Sequence, residues 1–251
     1  MIGNLYLRIK ALIPTARSCD SHGRTTINMI DLDTYIPVII VDLDGTLLDG
    51  NSFTLYTKWL LRKSLSRMRL DATLPLLLAI ALRKGRLRTH AQAKQAIMRI
   101  AERILKEKDY EEFIRTLSVK FRPEVTFLIS QARKRSLPVC LATAAPKDYS
   151  VMLGRMLRLD AVVATPLPPK GEEIKECRGD VKREMVEELC DIRGWQPAIT
   201  LTDHYDDIPL MLWTASCGGK NVLIEPSDTT HDMVAKAGIP TMNLHTPPDS
   251  E

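Results

Sequence analysis

Five short apolar segments constrain the fold of this chain more than any other feature of its sequence. They cover residues 38–41, 139–142, 161–164, 199–202 and 222–224. Such runs have the length and composition of parallel strands that are buried on both faces. Helical stretches lie between the last four segments, at residues 147–157, 181–192 and 208–216. The alternation predicts an α/β fold built on a doubly wound parallel sheet.

The interval between the first two apolar segments has a different pattern, with several helical stretches and no convincing strand. Residues that can begin or end helices recur along it: Asp71 and Gly85, Thr89, Asp109 with Glu112, and Pro123. The sequence therefore predicts an all-helical cap at residues 50–131. This cap is inserted into a core formed by residues 36–49 and 132–251.

Residues 1–35 are predicted to form an N-terminal extension and linker. Apolar residues from Ile2 to Ile13 recur at helical spacing with Arg8 and Lys10 between them, which indicates a short docking helix. Peripheral contact with a membrane surface is the alternative interpretation. We expect no membrane span, because the longest apolar run, residues 74–82, is shorter than a spanning helix and contains Pro75.

The cysteine content argues against a disulfide framework and against a zinc site. The chain has five cysteines, an odd number, and no C-x-x-C pair. Reduced thiols in a cytoplasmic protein are the simplest interpretation.

Charge is distributed unevenly along the chain. Residues 50–135 contain 20 Lys and Arg but only 7 Asp and Glu, whereas the whole chain has a formal charge of +4. The predicted cap is therefore basic and the rest of the chain acidic. We expect no nucleic-acid partner, because the basic residues are scattered and aromatic residues are few.

Polar side chains follow three of the predicted strands. Asp42 and Asp44 occur in the stretch VDLDGTLLDG, Thr143 follows the second segment, and Asp203 and Asp207 follow the fourth. Carboxyl ends of parallel strands meet at one edge of a sheet, so these side chains should lie together. Neighbouring carboxylates repel unless a cation lies between them, and Mg²⁺ binds carboxylates while leaving positions open for a phosphate. For Asp42 and Asp44 alone, an ordinary turn is the alternative.

The order of these motifs is similar to that of the haloacid dehalogenase-like (HAD) superfamily, over about residues 36–240. The insertion resembles the type 1 helical cap of the phosphoserine phosphatase-like branch. The resemblance implies a Mg²⁺-dependent phosphatase that hydrolyses a small phosphomonoester through an aspartyl-phosphate intermediate.

The resemblance also implies a role for each catalytic residue. Asp42 would be the nucleophile, and Asp44 would protonate the leaving oxygen and then activate water. Thr143 and the backbone amide of Ala144 would bind phosphoryl oxygens. Lys182 would hold the nucleophile and balance phosphoryl charge.

The metal ligands implied by the resemblance are Asp42, Asp44, Asp203 and Asp207. Asp203 would bind Mg²⁺ directly, and Asp44 would present its backbone carbonyl. Asp207 would act directly, through water, or by anchoring Lys182.

Two assignments leave alternatives open. Lys182 is favoured as the motif lysine because it opens a helix 21 residues before Asp203, but Lys170 and Lys175 are rivals. Asn51 occupies the position where phosphoserine phosphatases carry a substrate-binding glutamate, so phosphoserine is not favoured.

The loop after Asp203 is less informative. His204 and Tyr205 either shape the pocket or belong to an ordinary loop, and Asp206 is expected to be solvated.

Other functions are compatible with the sequence. A phosphotransferase would use the same intermediate, and a non-catalytic binding or regulatory module would use the basic cap on anionic lipid or nucleic acid. Asp44 argues against a dehalogenase. The oligomeric state, the substrate and the purpose of residues 1–35 are left open by the sequence.

Overall fold

A sheet of six parallel strands organises residues 35–244, the part of the chain that this computed structural model describes. The strands are β1 Ile36–Val41, β2 Val139–Pro146, β3 Ala161–Thr165, β4 Trp195–Thr202, β5 Lys220–Ile224 and β6 Thr241–Leu244. Their order in the sheet is β3-β2-β1-β4-β5-β6, and every neighbouring pair is parallel. The strand order reverses direction at β1, which makes the carboxyl end of β1 the topological switch point.

Helices flank the sheet and fill the interval between β1 and β2. They are α1 Ser52–Ser66, α2 Leu70–Lys84, α3 His90–Ile104, α4 Glu107–Ser118, α5 Pro123–Lys134, α6 Lys147–Leu157, α7 Asp180–Arg193, α8 Ile208–Ser216 and α9 Asp228–Lys236. A 3₁₀ turn, Tyr205–Asp207, precedes α8. The predicted α/β fold with a doubly wound parallel sheet is confirmed.

Both faces of β1 are covered, which explains its unbroken apolar sequence. Ile39 and Val41 are fully buried in a cluster that includes residues of α1–α6. Val38 and Ile40 are fully buried on the other face, against residues of α7 and α8 such as Val186. This double burial fixes the direction in which the end of β1 points.

The two connections between the sheet and the helical insertion run side by side. The N–H group of Asp49 donates to the carbonyl of Lys120 at 2.8 Å, and that of Arg122 donates to the carbonyl of Leu47 at 2.9 Å. The chain therefore leaves and rejoins the sheet region at adjacent points. The boundaries of the cap at residues 50 and 131 stay a prediction.

Two of the predicted helix starts are wrong, although Thr89 caps α3, Pro123 opens α5 and Gly85 ends α2 as predicted. Arg69 is the N-cap of α2, so Asp71 lies in the first turn, where it pairs with Arg69 at 2.8 Å.

Asp109 does not begin its helix either. Helix α4 starts at Glu107, and Asp109 is its third residue, whose carboxylate accepts the N–H of Lys106 at 2.9 Å. Arg67 also bonds this carboxylate, so a tertiary contact fixes the position of Asp109.

Strand β6 and helix α9 were not predicted, whereas all five predicted strands are present. The predicted docking helix and linker of residues 1–35 lie outside the described residues except for Tyr35. Within residues 35–244, no helix is both long enough and apolar enough to cross a membrane.

Candidate active site

A buried lysine joins two carboxylates at the carboxyl edge of the sheet. Asp42 directly follows β1, Lys182 lies in the first turn of α7, and Asp207 ends the 3₁₀ turn after β4. The Lys182 Nζ donates to Asp42 Oδ1 at 2.8 Å and lies 2.7 Å from Asp207 Oδ1. The structure thus brings Lys182 to Asp42, whereas the rivals Lys170 and Lys175 are exposed.

Burial and neighbouring charge act against each other at these groups. Burial lowers the pKa of Lys182, but the adjacent Asp207 and Asp42 outweigh this effect, so the pKa lies above its ordinary value. The pKa of Asp42 is raised well above its usual range by burial and by the charges of Asp207 and Asp203, although Lys182 opposes the shift. Additional positive charge would therefore stabilise the ionised form of Asp42.

The loop after β1 presses against the end of β4. Gly45 has φ +82°, and a Cβ at this position would meet Asp203 Oδ2 at 2.0 Å, so the approach requires glycine. The Thr46 hydroxyl donates to Asp203 Oδ1 at 3.3 Å. Asp44 Oδ1 accepts the N–H of Ser52 at 2.6 Å, and burial raises the pKa of Asp44. The raised pKa of Asp44 suits a group that must donate a proton.

Thr143 lies near the end of β2 with its side chain buried. Its Oγ1 accepts the N–H of Ala145 at 3.0 Å, so the hydroxyl hydrogen can be donated to a bound oxygen. The pairing of β2 with β3 shifts register between Thr143 and Pro146, and α6 begins at the next residue, Lys147. Thr143 is therefore held in the second half of β2, in the segment that leads into the N-terminus of α6, which suits an anion.

One cavity of about 710 Å³ is lined by all seven site residues predicted from the sequence. Its lining includes Asp42, Asp44, Thr143, Ala144, Lys182, Asp203 and Asp207. The cavity opens between the strand ends and the helical insertion, because Asn51, Phe53, Arg83, His90 and Lys94 also line it.

Lys94 and Glu176 are cavity residues that sequence reasoning missed. Lys94, on α3, is 3% exposed, and its Nζ donates to the carbonyl of Ala144 at 2.9 Å and to Glu176 Oε2 at 2.8 Å. These partners are 50 and 82 residues away in the chain. No local signal could have identified the pair, which ties the insertion to the core.

Two further carboxylates of the cavity lining, Glu176 and Asp206, are already paired with cationic side chains. Burial raises the pKa of Glu176, but His90 and Lys94 lower it more, to about 2. Asp206 forms an ion pair with Arg178, and its Oδ2 lies 2.9 Å from His204 Nδ1. Its side chain is 23% exposed, so Asp206 is partly buried as well as paired with Arg178.

Three other positions, Asn51, His204 and Tyr205, had alternative interpretations in the sequence. Asn51 is the N-cap of α1 and accepts the N–H of Thr54 at 2.8 Å while it also lines the cavity. His204 lines the cavity as well, and its ring packs against that of Tyr205 at 4.2 Å between centroids.

The donor set fits Mg²⁺, although the described residues contain no group of three or more His, Cys, Asp and Glu side chains arranged to hold a metal ion. Mg²⁺ needs only one or two carboxylates together with carbonyl and water oxygens. Burial raises the pKa of Asp203 to about 6, with a further contribution from the charge of Asp207. A divalent cation held by Asp42, Asp203 and the Asp44 carbonyl would offset the free energy needed to keep Asp203 ionised in this buried position.

Asp207 fits an anchoring role better than a direct metal contact. Its Oδ2 accepts from Lys182 Nζ at 2.9 Å and from the Thr202 hydroxyl at 2.7 Å, and its Oδ1 faces the same Nζ. Both oxygens are therefore engaged. Of the roles expected for Asp207, the anchoring of Lys182 is the one that has a geometric basis.

Fold and site together define a class of α/β enzymes in which an aspartate and a lysine meet at the switch point of a parallel sheet, beneath a helical insertion. Residues 39–212 match the family model for haloacid dehalogenase-like hydrolases. The chain belongs to this family and is a hydrolase. The predicted superfamily is confirmed.

Several solved structures share this fold. A protein of unknown function from Bordetella pertussis Tohama I has a TM-score of 0.66 at 16% identity, covering 83% of this chain and 99% of its own. A probable phosphoserine phosphatase from Vibrio cholerae has a TM-score of 0.55 at 15% identity, covering 83% and 60%. A phosphoserine phosphatase described as a phospho-aspartyl intermediate analogue has a TM-score of 0.51 at 14% identity, covering 80% and 91%.

The comparison with curated proteins gave no match. At these identities the structural likeness concerns the fold alone.

Proposed function

We propose that the protein is a Mg²⁺-dependent phosphatase that hydrolyses a small phosphomonoester through an aspartyl-phosphate on Asp42. The observation that carries the proposal is the Lys182 Nζ held at 2.8 Å from Asp42 Oδ1 in a cavity that Asp44, Thr143 and Asp203 also line. This arrangement combines a nucleophile, an acid and a cation in one water-accessible space.

The first half of the reaction transfers the phosphoryl group to the protein. Asp42 Oδ1 is occupied by Lys182, so Oδ2 is the oxygen available to attack phosphorus. As the new O–P bond forms, the ester O–P bond breaks and Asp44 donates its proton to the leaving oxygen. The raised pKa of Asp44 favours the protonated form that this step requires.

The second half of the reaction restores the nucleophile. Asp44, now ionised, removes a proton from water, and the resulting hydroxide oxygen attacks phosphorus. The bond between phosphorus and Asp42 Oδ2 breaks, which releases inorganic phosphate and leaves Asp44 protonated. One residue thereby serves as acid and then as base.

Phosphoryl charge is balanced by groups that are already in place. Thr143 donates its hydroxyl hydrogen to a phosphoryl oxygen, the backbone amide of Ala144 is the second donor that we propose, and Lys182 adds positive charge. Mg²⁺ bound by Asp203, Asp42 and the carbonyl of Asp44 would supply further charge neutralisation. Asp207 keeps Lys182 in position.

The ion pairs of the cavity carboxylates limit which substrates the cavity can bind. Among the described residues that line the cavity, Glu176 and Asp206 already bind cations, and Asn51 caps a helix. Outside the catalytic aspartates, no carboxylate of the described lining is free to bind a substrate amine. We therefore propose a phosphomonoester other than phosphoserine.

A cytoplasmic location is part of the proposal. It rests on the free thiols of Cys140, Cys177, Cys190 and Cys217, the first three of which are buried. Reduced cysteines of this kind are usual in reducing compartments.

A phosphate-release screen over a panel of phosphomonoesters, with Mg²⁺ and with excess chelator, tests the proposed function. Asp42→Asn should lower turnover by at least ~10³-fold, because an amide is a poor nucleophile. Asp49→Asn is the matched control, since Asp49 is an exposed carboxylate in the same loop, and it should stay within about twofold of the parent. Near-normal hydrolysis by folded Asp42→Asn protein, or full activity in chelator, would contradict the proposal.

A further inference from the structure

Helix α2 is apolar on its outer side as well as on its inner side. The inward residues Ala72, Leu76 and Ala79 are buried against the rest of the protein. We define the outer face of α2 as the four exposed leucines that recur at helical spacing on the opposite side: Leu70, Leu74, Leu77 and Leu78. They are 45–64% exposed. A helix that is apolar all round is normally covered on every side, so this face is expected to have a partner.

Neighbouring residues enlarge the exposed apolar surface. Leu65 and Met68, before α2, are 54% and 86% exposed, and Leu87, after it, is 76% exposed. Contiguous exposed apolar patches mark interaction sites on proteins, whereas isolated exposed leucines do not. The concentration within residues 65–87 therefore indicates a binding surface.

The charges around this surface are almost all of one sign. In the last turn of α2 and just after it lie four basic residues that form no ion pair within the described part of the chain: Arg83, Lys84, Arg86 and Arg88. Arg67 and Arg69 lie before α2 and are paired with Asp109 and Asp71. The acidic residue of the helix, Asp71, is already paired with Arg69.

We propose that the outer face of α2 docks the protein onto an anionic lipid bilayer. The leucines would enter the boundary between headgroups and acyl chains, and the basic residues in the last turn of α2 and just after it would contact lipid phosphates. Charge complementarity favours this occupant over a second copy of the chain. The unpaired positive charge lies at one end of α2, so parallel pairing of two copies brings positive charge against positive charge. Antiparallel pairing offers these residues no free carboxylate on the helix, because Asp71 is paired with Arg69.

The position of the surface gives the docking a consequence for the cavity. Arg83 lies in the last turn of α2 and also lines the cavity that holds Asp42. A protein docked through the outer face of α2 would therefore hold the cavity beside the lipid surface.

Co-sedimentation of the full chain with vesicles tests the proposal without reference to catalysis. Vesicles of phosphatidylcholine are compared with vesicles of equal parts phosphatidylcholine and phosphatidylglycerol. One variant carries Leu74→Gln, Leu77→Gln and Leu78→Gln, and its control carries Met156→Gln, Ile192→Gln and Leu212→Gln, which replace apolar residues exposed elsewhere.

A second variant removes charge instead of apolar surface. It carries Lys84→Gln, Arg86→Gln and Arg88→Gln, and its control carries Lys120→Gln, Lys134→Gln and Lys236→Gln, which lie at other exposed positions. This variant keeps the test decisive even when the leucine variant fails to fold.

The expected result is strong binding to the anionic vesicles and weak binding to the neutral ones. The charge variant should lose about 100-fold in partition coefficient, at about fivefold per basic residue near an anionic surface, and the leucine variant at least ~10-fold. Both controls should bind like the parent. The proposal is overturned when the parent does not bind anionic vesicles or when the charge variant binds as well as its control. It is also overturned when a folded leucine variant keeps its vesicle binding and differs from the parent only by the loss of a dimer in sedimentation velocity.

Discussion

Lys182 is the residue on which the geometry of the site depends most. It is 3% exposed and holds Asp42 and Asp207 together, so its removal would leave two carboxylates buried without a cation. We expect Lys182→Met to lower the free energy of unfolding by about 3–5 kcal/mol and to abolish turnover. Urea unfolding and phosphate release measure the two effects. Lys175→Met, at an exposed position in the preceding loop, is the control. Unchanged stability in Lys182→Met would show that the buried pairing contributes little.

Asp203 provides a separate test of the metal site. Asp203→Ala should weaken Mg²⁺ binding at least ~10-fold, because it removes one of the few carboxylates in the proposed donor set. Isothermal titration calorimetry measures this affinity directly. Asp206→Ala is the matched control, since Asp206 is nearby but is paired with Arg178. Equal Mg²⁺ affinity in parent and Asp203→Ala would exclude Asp203 as a ligand.

Some site residues can be predicted from sequence and others cannot, for a simple reason. Asp42 and Asp203 directly follow strands and Thr143 lies in the second half of β2, so a correct assignment of the strands already places them toward one edge of the sheet. Lys94 and Glu176 meet only because α3 folds over the loop before α7. That contact depends on the tertiary path of 82 residues, which no local pattern records.

The bounds of some helices are set by local sequence, whereas those of others depend on tertiary contacts. Helices α6 and α8 have the predicted bounds because Pro146 and Pro209 stand beside their first residues and restrict the backbone there. Strand β6 was missed because its sequence, TMNL, is short and has no apolar run. The start of α4 was misplaced because Arg67, remote in sequence, bonds the carboxylate that was expected to cap the helix.

The contact between α1 and α4 should make stability depend on pH. Burial raises the pKa of Asp109, but Arg67, the N–H of Lys106 and Lys63 together lower it to about 2. The pKa is thus lower in the folded state than in the unfolded state, where it is about 4. The stabilisation is therefore complete above about pH 4 and is lost as the pH falls toward 2.

Asp109→Asn tests this dependence, because an amide does not titrate. The parent should be more stable than the variant by about 1–2 kcal/mol at pH 7, and the difference should shrink as the pH falls below 4. Urea unfolding at several pH values measures it. Asp232→Asn, at an exposed position, should show almost no difference at either pH. A gap between parent and Asp109→Asn that does not change with pH would show that the contact is not electrostatic.

At the scale of the whole molecule, opposite charges are separated into two regions. Residues 50–135 carry an excess of 13 positive charges, and they lie over a cavity whose floor is acidic. Clustered charge of one sign raises the rate at which oppositely charged ligands arrive. The basic insertion should therefore attract anionic substrates toward Asp42.

This steering should fade with salt, because the Debye length falls from about 10 Å at 0.1 M to about 3 Å at 1 M ionic strength. For the best anionic substrate, kcat/KM should fall with added salt while kcat changes less. Reversing the charge of Arg86 and Arg88 to Glu should flatten the dependence, and reversing Lys134 and Lys236 should not. A kcat/KM that does not respond to salt would exclude steering.

The paired connections between sheet and insertion have a consequence for how such proteins can diversify. Asp49 and Lys120 are hydrogen-bonded at 2.8 Å, so a polypeptide of almost any length can be joined between them without moving the strand ends. Genetic exchange at these two positions would replace the helical insertion that covers the cavity and leave the positions of the aspartates and Lys182 unchanged. The chemistry and the choice of substrate can then evolve as separate modules, joined at one pair of backbone positions.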